Sequence, residues 1–216
     1  MAKLRLAVLI SGRGSNLQAL IDAAAAPDYP AEIALVLSNR PTAAGLGRAA
    51  AAGLPTEVID HTRFATRADF DAALDAALRA RAVELVCLAG FMRLLTPVFV
   101  AAWSDRMINI HPSLLPSFKG LHTHERAIAA GVRFTGCTVH YVRPEMDEGP
   151  IIVQAAVPIR ADDDADTLAT RVLAAEHHCY PMAVRWIAEG RVRIEGDRAV
   201  IDGPLSSPNS AINPRG

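Results

Sequence analysis

The run "LRLAVLISGRGSNLQALIDAAAA", Leu4 to Ala26, holds an apolar stretch, a glycine-rich turn and a helix-forming stretch in that order. Strand, turn and helix in immediate succession are the opening of an α/β fold. Working outward, the same alternation repeats. "AEIALVLSN" (31–39) is a second strand, set off by Pro27 and Pro30, and "AAGLGRAAAAG" (43–53) a second helix, ended by Gly53 and Pro55. "TEVID" (56–60) is a third strand. In "TRADFDAALDAALRARA" (66–82), Phe70, Leu74 and Leu78 recur every fourth residue and mark one face of an amphipathic helix. "VELVCLAG" (83–90) is almost unbroken in apolar residues, as a parallel strand covered on both faces requires.

The pattern changes after "RMINI" (106–110), a strand followed by an irregular segment and a short helix, "ERAIAAGV" (125–132). "FTGCTVHYV" and "PIIVQAAVPI" are strands joined by only "RPEMDEG" (143–149), short enough for an antiparallel pair. "DDADTLATRVLAAEHHCYPMAVRWIAEG" (163–190) predicts a helix broken near Pro181, and "RVRIEGDRAVID" (191–202) a hairpin turning at Gly196-Asp197. The fold expected is α/β: a Rossmann-like, mostly parallel sheet flanked by helices, with an antiparallel C-terminal part. Residues 1–202 are expected to form one domain, and the polar, proline-rich 203–216 a disordered tail.

Composition removes several classes of function. The chain has 216 residues, a formal net charge of −1 and no basic stripe, which argues against nucleic-acid binding. Cys87, Cys137 and Cys179 are far apart and lack CxxC spacing, which argues against a disulfide scaffold or a structural zinc site. Neither a signal-peptide pattern nor a membrane-length apolar span is present, so a soluble cytoplasmic protein is expected.

Three places carry chemistry. In "SGRGSN" (11–16), Gly12 and Gly14 allow a tight turn ahead of free helix N–H groups, a site for phosphate. The same residues also read as a plain βα turn with Ser15 or Asn16 capping the helix. In "NIHPSLLPSFKGLHTHERA" (109–127), Asn109 and His111 alternate on a strand and so share a face, at the strand end where open α/β sheets bind ligands. An amide N–H and an imidazole there can stabilise an oxyanion, or simply cap a loop. His122 and His124 admit a zinc reading, which needs His111, His140 or Asp147 as a third ligand; no recognised spacing supports it, and no metal is expected. In "PEMDEGPII", Asp147 is either a turn aspartate or a carboxylate aimed at a histidine.

"LISGRGSNLQAL", "LAGFMRLL", "NIHPSLLPSFKGLHTHERA", "GCTVHYV" and "DEGPII" stand in this order, and together they closely resemble the phosphoribosylglycinamide formyltransferases of purine synthesis, from about Leu6 to Arg193. The resemblance implies a formyltransferase fold, 10-formyltetrahydrofolate as co-substrate, glycinamide ribonucleotide as acceptor and no metal. It implies that Asn109 bonds the formyl oxygen, that His111 stabilises the oxyanion, that Asp147 relays a proton and that His122 holds Asp147. Gly14, Ser15 and Asn16 would bind the phosphate, and Glu176 the ribose hydroxyls or the glycinamide. Arg67, Met92, Arg93, Leu94 and Leu95, with the backbone of Arg143, Pro144, Glu145, Met146 and Asp147, would form the folate side. Leu173 departs from the family, which often has a polar or basic residue there; phosphate binding would then lean on the glycine loop, with Arg13 or Lys119. A monomer or homodimer is expected. The nearest alternatives are formyltetrahydrofolate hydrolase, methionyl-tRNA formyltransferase (for whose tRNA-side domain the chain is too short) and a non-catalytic nucleotide-binding module.

Overall fold

The computed structural model describes residues 2–203 and residue 213. Seven strands form one sheet in the order β3-β2-β1-β4-β5-β6-β7. They are β1 (Leu4–Ile10), β2 (Ala31–Ser38), β3 (Thr56–Val58), β4 (Leu85–Leu88), β5 (Met107–His111), β6 (Phe134–Tyr141) and β7 (Ile151–Pro158). The pairings from β3 through to β5 are parallel, whereas β5–β6 and β6–β7 are antiparallel. The expected mixed sheet is therefore present. β8 (Val192–Glu195) and β9 (Arg198–Ile201) make a separate antiparallel hairpin around Gly196.

Strand alternation divides the core in two. Leu6, Val8 and Ile10 of β1 face a layer containing α1 (Ser15–Ala24), α2 (Gly45–Ala51) and α6 (Ala165–Ala188). Ala7 and Leu9 face the layer of α3 (Arg67–Ala80) and α4 (Pro97–Ala102). This is why β1, β2 and β4 read as nearly continuous apolar runs, with the charged Arg5 and Glu32 only near the strand starts: both faces are covered. Phe70, Leu74 and Leu78 of α3 are buried as their spacing predicts, each stabilising by about 1.5–3 kcal/mol. A short helix, α5 (Thr123–Ala129), follows the loop after β5.

The structure departs from the sequence reading in two elements. α6 runs unbroken from Ala165 to Ala188 with Pro181 inside it. Proline removes one backbone donor, but the buried Cys179, Tyr180, Ala183 and Val184 on either side hold the helix against the sheet. Tyr29 also donates its hydroxyl to the Pro181 carbonyl at 2.8 Å. α4 lies in a stretch to which the sequence reading gave no element, although Thr96 capping the Phe99 N–H and Pro97 in the first turn are ordinary start signals. The tail expected to be disordered lies, apart from Gly203 and Asn213, outside the described residues.

The sheet positions the site through its strand order. β1 connects to β2 on one side, while β4 lies on its other side. Such a switch point opens a crevice at the carboxyl ends of the strands. "SGRGSN" leaves β1 there, "GFMRLL" leaves β4, and Asn109 and His111 close β5.

Candidate active site

The end of β5 and the loops around it enclose a cavity of about 640 Å³. Its lining comes from Gly90–Leu95, Asn109–Pro112, Gly120–Glu125, His140 and Val142–Glu148. Asn109 and His111 both reach it, as alternation on one strand requires. His111 is 5% exposed, with both ring nitrogens facing oxygens. Nε2 lies 3.0 Å from the Phe118 carbonyl. A carbonyl only accepts, so Nε2 carries a hydrogen. Nδ1 lies 3.4 Å from Asp147 Oδ1 and is the nitrogen left to exchange a proton.

Asp147 reaches this position through backbone geometry that its sequence spacing hides. It has a left-handed φ of 54°, which aspartate tolerates better than most residues. Its Oδ2 accepts the Gly120 N–H at 2.7 Å. Lys119 pairs with Glu148 at 2.5 Å, a second tie between the two loops. Lys119 is thereby engaged by a carboxylate. The carboxylate partner of Asp147 among the histidines is thus His111 and not His122. His122 starts α5 with φ 56°, is largely exposed, and has Nδ1 3.5 Å from Glu125. The residue that meets Asp147 is His111, where the family resemblance implied His122. His122, at the N-cap of α5, stands three residues before Glu125, within reach of it on the first turn.

His140 enters the site by register, which the motif reading missed. It stands directly opposite Asn109 in the β5–β6 pair. Burial lowers its pKa below the ordinary histidine value, so the ring is neutral at pH 7. His124, half-buried in the cavity wall, is likewise lowered by burial. Among the described residues, no three His, Cys, Asp or Glu side chains are grouped as a metal site needs.

The glycine loop builds a second, adjacent feature. Gly14, with φ 70°, is the N-cap of α1 and makes no side-chain cap bond. Neither Ser15 nor Asn16 caps: they are the first helical residues, so the early N–H groups have no intrahelical acceptor. A Cβ on Gly14 would lie 2.6 Å from the Gly45 Cα, so this approach of α1 to α2 needs glycine. Asn16 turns its side chain to α6, where Nδ2 donates to Glu176 Oε2 at 2.6 Å. Asn16 Oδ1 is buried without a partner. Burial raises the Glu176 pKa, and the Asn16 hydrogen bond opposes this. Ser11 joins the two features: its hydroxyl donates to Asn39 Oδ1 at 2.6 Å and accepts the Met92 N–H at 2.7 Å.

With this geometry in view, the chain can be placed among known proteins. A family model described as formyl transferase matches residues 4–184. The chain belongs to the formyl transferase family. The phosphoribosylglycinamide formyltransferase of Haemophilus influenzae is 44% identical over 199 residues, 92% of this chain and 94% of that protein. The crystal structure of glycinamide ribonucleotide transformylase 1 from Symbiobacterium toebii superposes with a TM-score of 0.90 at 48% identity, covering 92% of this chain and 94% of that one. The human trifunctional purine biosynthetic protein adenosine-3 is 51% identical over 192 residues, 89% of this chain; the chain spans only 19% of that protein.

Most of the expected folate side of this formyl transferase lines the cavity. Met92, Arg93, Leu94 and Leu95 come from one wall and Arg143, Pro144, Glu145, Met146 and Asp147 from the other. Met92, Leu94 and Met146 are more than half exposed apolar side chains at its mouth. Arg143 turns its guanidinium to Asp105 at 2.7 Å, leaving its backbone at the cavity. Arg67 is the exception. Thr66 caps α3, so Arg67 falls in the first helical turn, exposed and outside the cavity lining. No helix among the described residues is long and apolar enough to cross a membrane.

Proposed function

We propose that the chain transfers the formyl group of 10-formyltetrahydrofolate to the amine of glycinamide ribonucleotide, a step of purine biosynthesis. The observation that carries this reading is the meeting of Asn109, His111 and Asp147 at one cavity, with His111 Nδ1 3.4 Å from the Asp147 carboxylate. The substrate amine attacks the formyl carbon. A C–N bond forms, and the carbonyl electrons move to oxygen. Asn109 N–H and the His111 ring stabilise that oxyanion. The attacking nitrogen gives up a proton, the folate nitrogen receives one, and the C–N bond to the folate breaks. Asp147, acting through a water, relays the proton between them.

The apolar mouth made by Met92, Leu94 and Met146 suits the flat ring of a pterin, whose edge the neighbouring backbone reads. The free N–H groups of Ser15 and Asn16 suit the ribonucleotide phosphate. Buried Glu176, held by Asn16, suits the ribose hydroxyls or the glycinamide. Phosphate binding rests on backbone groups here, since Leu173 offers no donor. The test is formyl transfer by the purified protein, with 10-formyltetrahydrofolate and glycinamide ribonucleotide. Formylated ribonucleotide and tetrahydrofolate should appear in equal amounts. Formate released at the same rate without the ribonucleotide would replace this reading with a hydrolase.

A further inference from the structure

An asparagine can stabilise an oxyanion only with its amide the right way round. Rotating the amide by 180° hardly changes its shape but puts a carbonyl where a donor is needed. Something must therefore hold the orientation of Asn109. Its cross-strand neighbour His140 is 2% exposed and fixed in place. His140 Nδ1 lies 2.9 Å from the Tyr141 carbonyl. That carbonyl accepts, so Nδ1 carries the hydrogen. In a neutral ring Nε2 then has only a lone pair. It lies 3.3 Å from Asn109 Nδ2. A lone pair can face the nitrogen end of the amide and not its oxygen end.

We propose that His140 is a positioning residue: its Nε2 lone pair, fixed by the Tyr141 carbonyl, holds Asn109 with the amide nitrogen inward so that the second N–H meets the formyl oxygen. This rests on the oxyanion role given to Asn109 above. His140 performs no proton transfer itself. Its effect passes through Asn109 and is felt only as charge develops on the formyl oxygen.

The test compares His140→Gln with His140→Met, side chains of similar length that differ in having an acceptor. Both are also placed in an Asn109→Ala background, with kcat, both KM values and the thermal midpoint measured for each. Asn109→Ala should lower kcat by about 10²–10³, the cost of one oxyanion donor. His140→Met should lower kcat by about tenfold, a fraction of that donor's worth, with both KM values nearly unchanged. His140→Gln should recover part of the loss, because its amide oxygen can accept from Asn109. In the Asn109→Ala background His140→Met should have less than about a twofold effect, since there is no amide left to orient. Three outcomes overturn the inference: normal kcat in His140→Met beside an impaired Asn109→Ala, an equal loss in both backgrounds, or a Gln variant no better than Met. Should His140→Met not fold, a kcat for His140→Gln as low as that of Asn109→Ala would overturn it alone. Normal kcat in Asn109→Ala would instead remove the oxyanion role beneath it.

Discussion

The glycine loop after β1 and the proposed catalytic cluster after β5 lie at the same end of one sheet, yet they are made of different materials. The first is backbone: Gly14 in a left-handed conformation, an approach to Gly45 that admits no side chain, and helix N–H groups without internal acceptors. The second is side chains: Asn109 and His111 on a strand, Asp147 folded back from a loop 36 residues away, and His140 from the neighbouring strand. A backbone site can hold an ion but has no group to give or take a proton. A cluster of amide, imidazole and carboxylate can do both. The difference supports the proposed division, binding at the loop and chemistry at the cluster, and each variant below strains it.

The largest effect should come from Asp147→Asn. Asparagine also tolerates a left-handed φ and can still accept the Gly120 N–H, so the loop keeps its shape. It cannot relay a proton. Steady-state assays should show kcat lower by about 10²–10⁴, with both KM values within a few-fold of the parent. Gly14→Ala strains the other side. Its Cβ would meet the Gly45 backbone in a conformation that disfavours it. KM for the ribonucleotide should rise by about tenfold or more, the worth of roughly 1.4 kcal/mol, while KM for the folate moves much less. Equal rises in both would blur the division.

Glu176→Gln sharpens it through stability. Burial raises the Glu176 pKa, so the folded state favours the protonated carboxyl. Its contribution is complete below the unfolded carboxyl pKa and is lost as pH rises through the raised folded value. Glutamine stays neutral at every pH, which removes the cost of burying a charge, and its oxygen can still accept from Asn16 Nδ2. The thermal midpoint at neutral pH should rise, and the gap to the parent should close in acid, while ribonucleotide KM worsens. A lower midpoint at neutral pH would contradict this. The smallest expected effect is none: dialysis against a strong chelator should leave the transfer rate unchanged, because the proposed mechanism draws its oxyanion stabilisation from Asn109 and His111. Loss of rate restored by zinc would demand a metal mechanism.

The two regions also differ in how far the sequence discloses them. The glycine loop is local: strand, "SGRGSN" and helix are contiguous, and the structure keeps them so. The parallel strands were legible because burial on both faces leaves little but apolar residues in them, as in Leu85–Leu88, where all four are buried. Asn109 and His111 were legible as a pair because a strand has a period of two. What was not legible depends on conformations that residue type does not announce. The meeting of Asp147 with His111 rather than His122 occurs among loops with left-handed Phe118, His122 and Asp147, conformations that the sequence does not announce. His140 needed the β5–β6 register, and Arg67 a helix start fixed by Thr66. The continuity of α6 through Pro181 came from tertiary packing that overrides a local breaker.

The most direct test of the division between binding and chemistry is the single-turnover rate of formyl transfer with both substrates saturating, measured for Asp147→Asn and Gly14→Ala side by side. Saturation removes differences in affinity and leaves the chemical step. The rate for Asp147→Asn should be lower than the parent's by about 10² or more, and that for Gly14→Ala should stay within a few-fold of it. A near-normal rate in Asp147→Asn, or a fall in Gly14→Ala as deep as that in Asp147→Asn, would contradict the account.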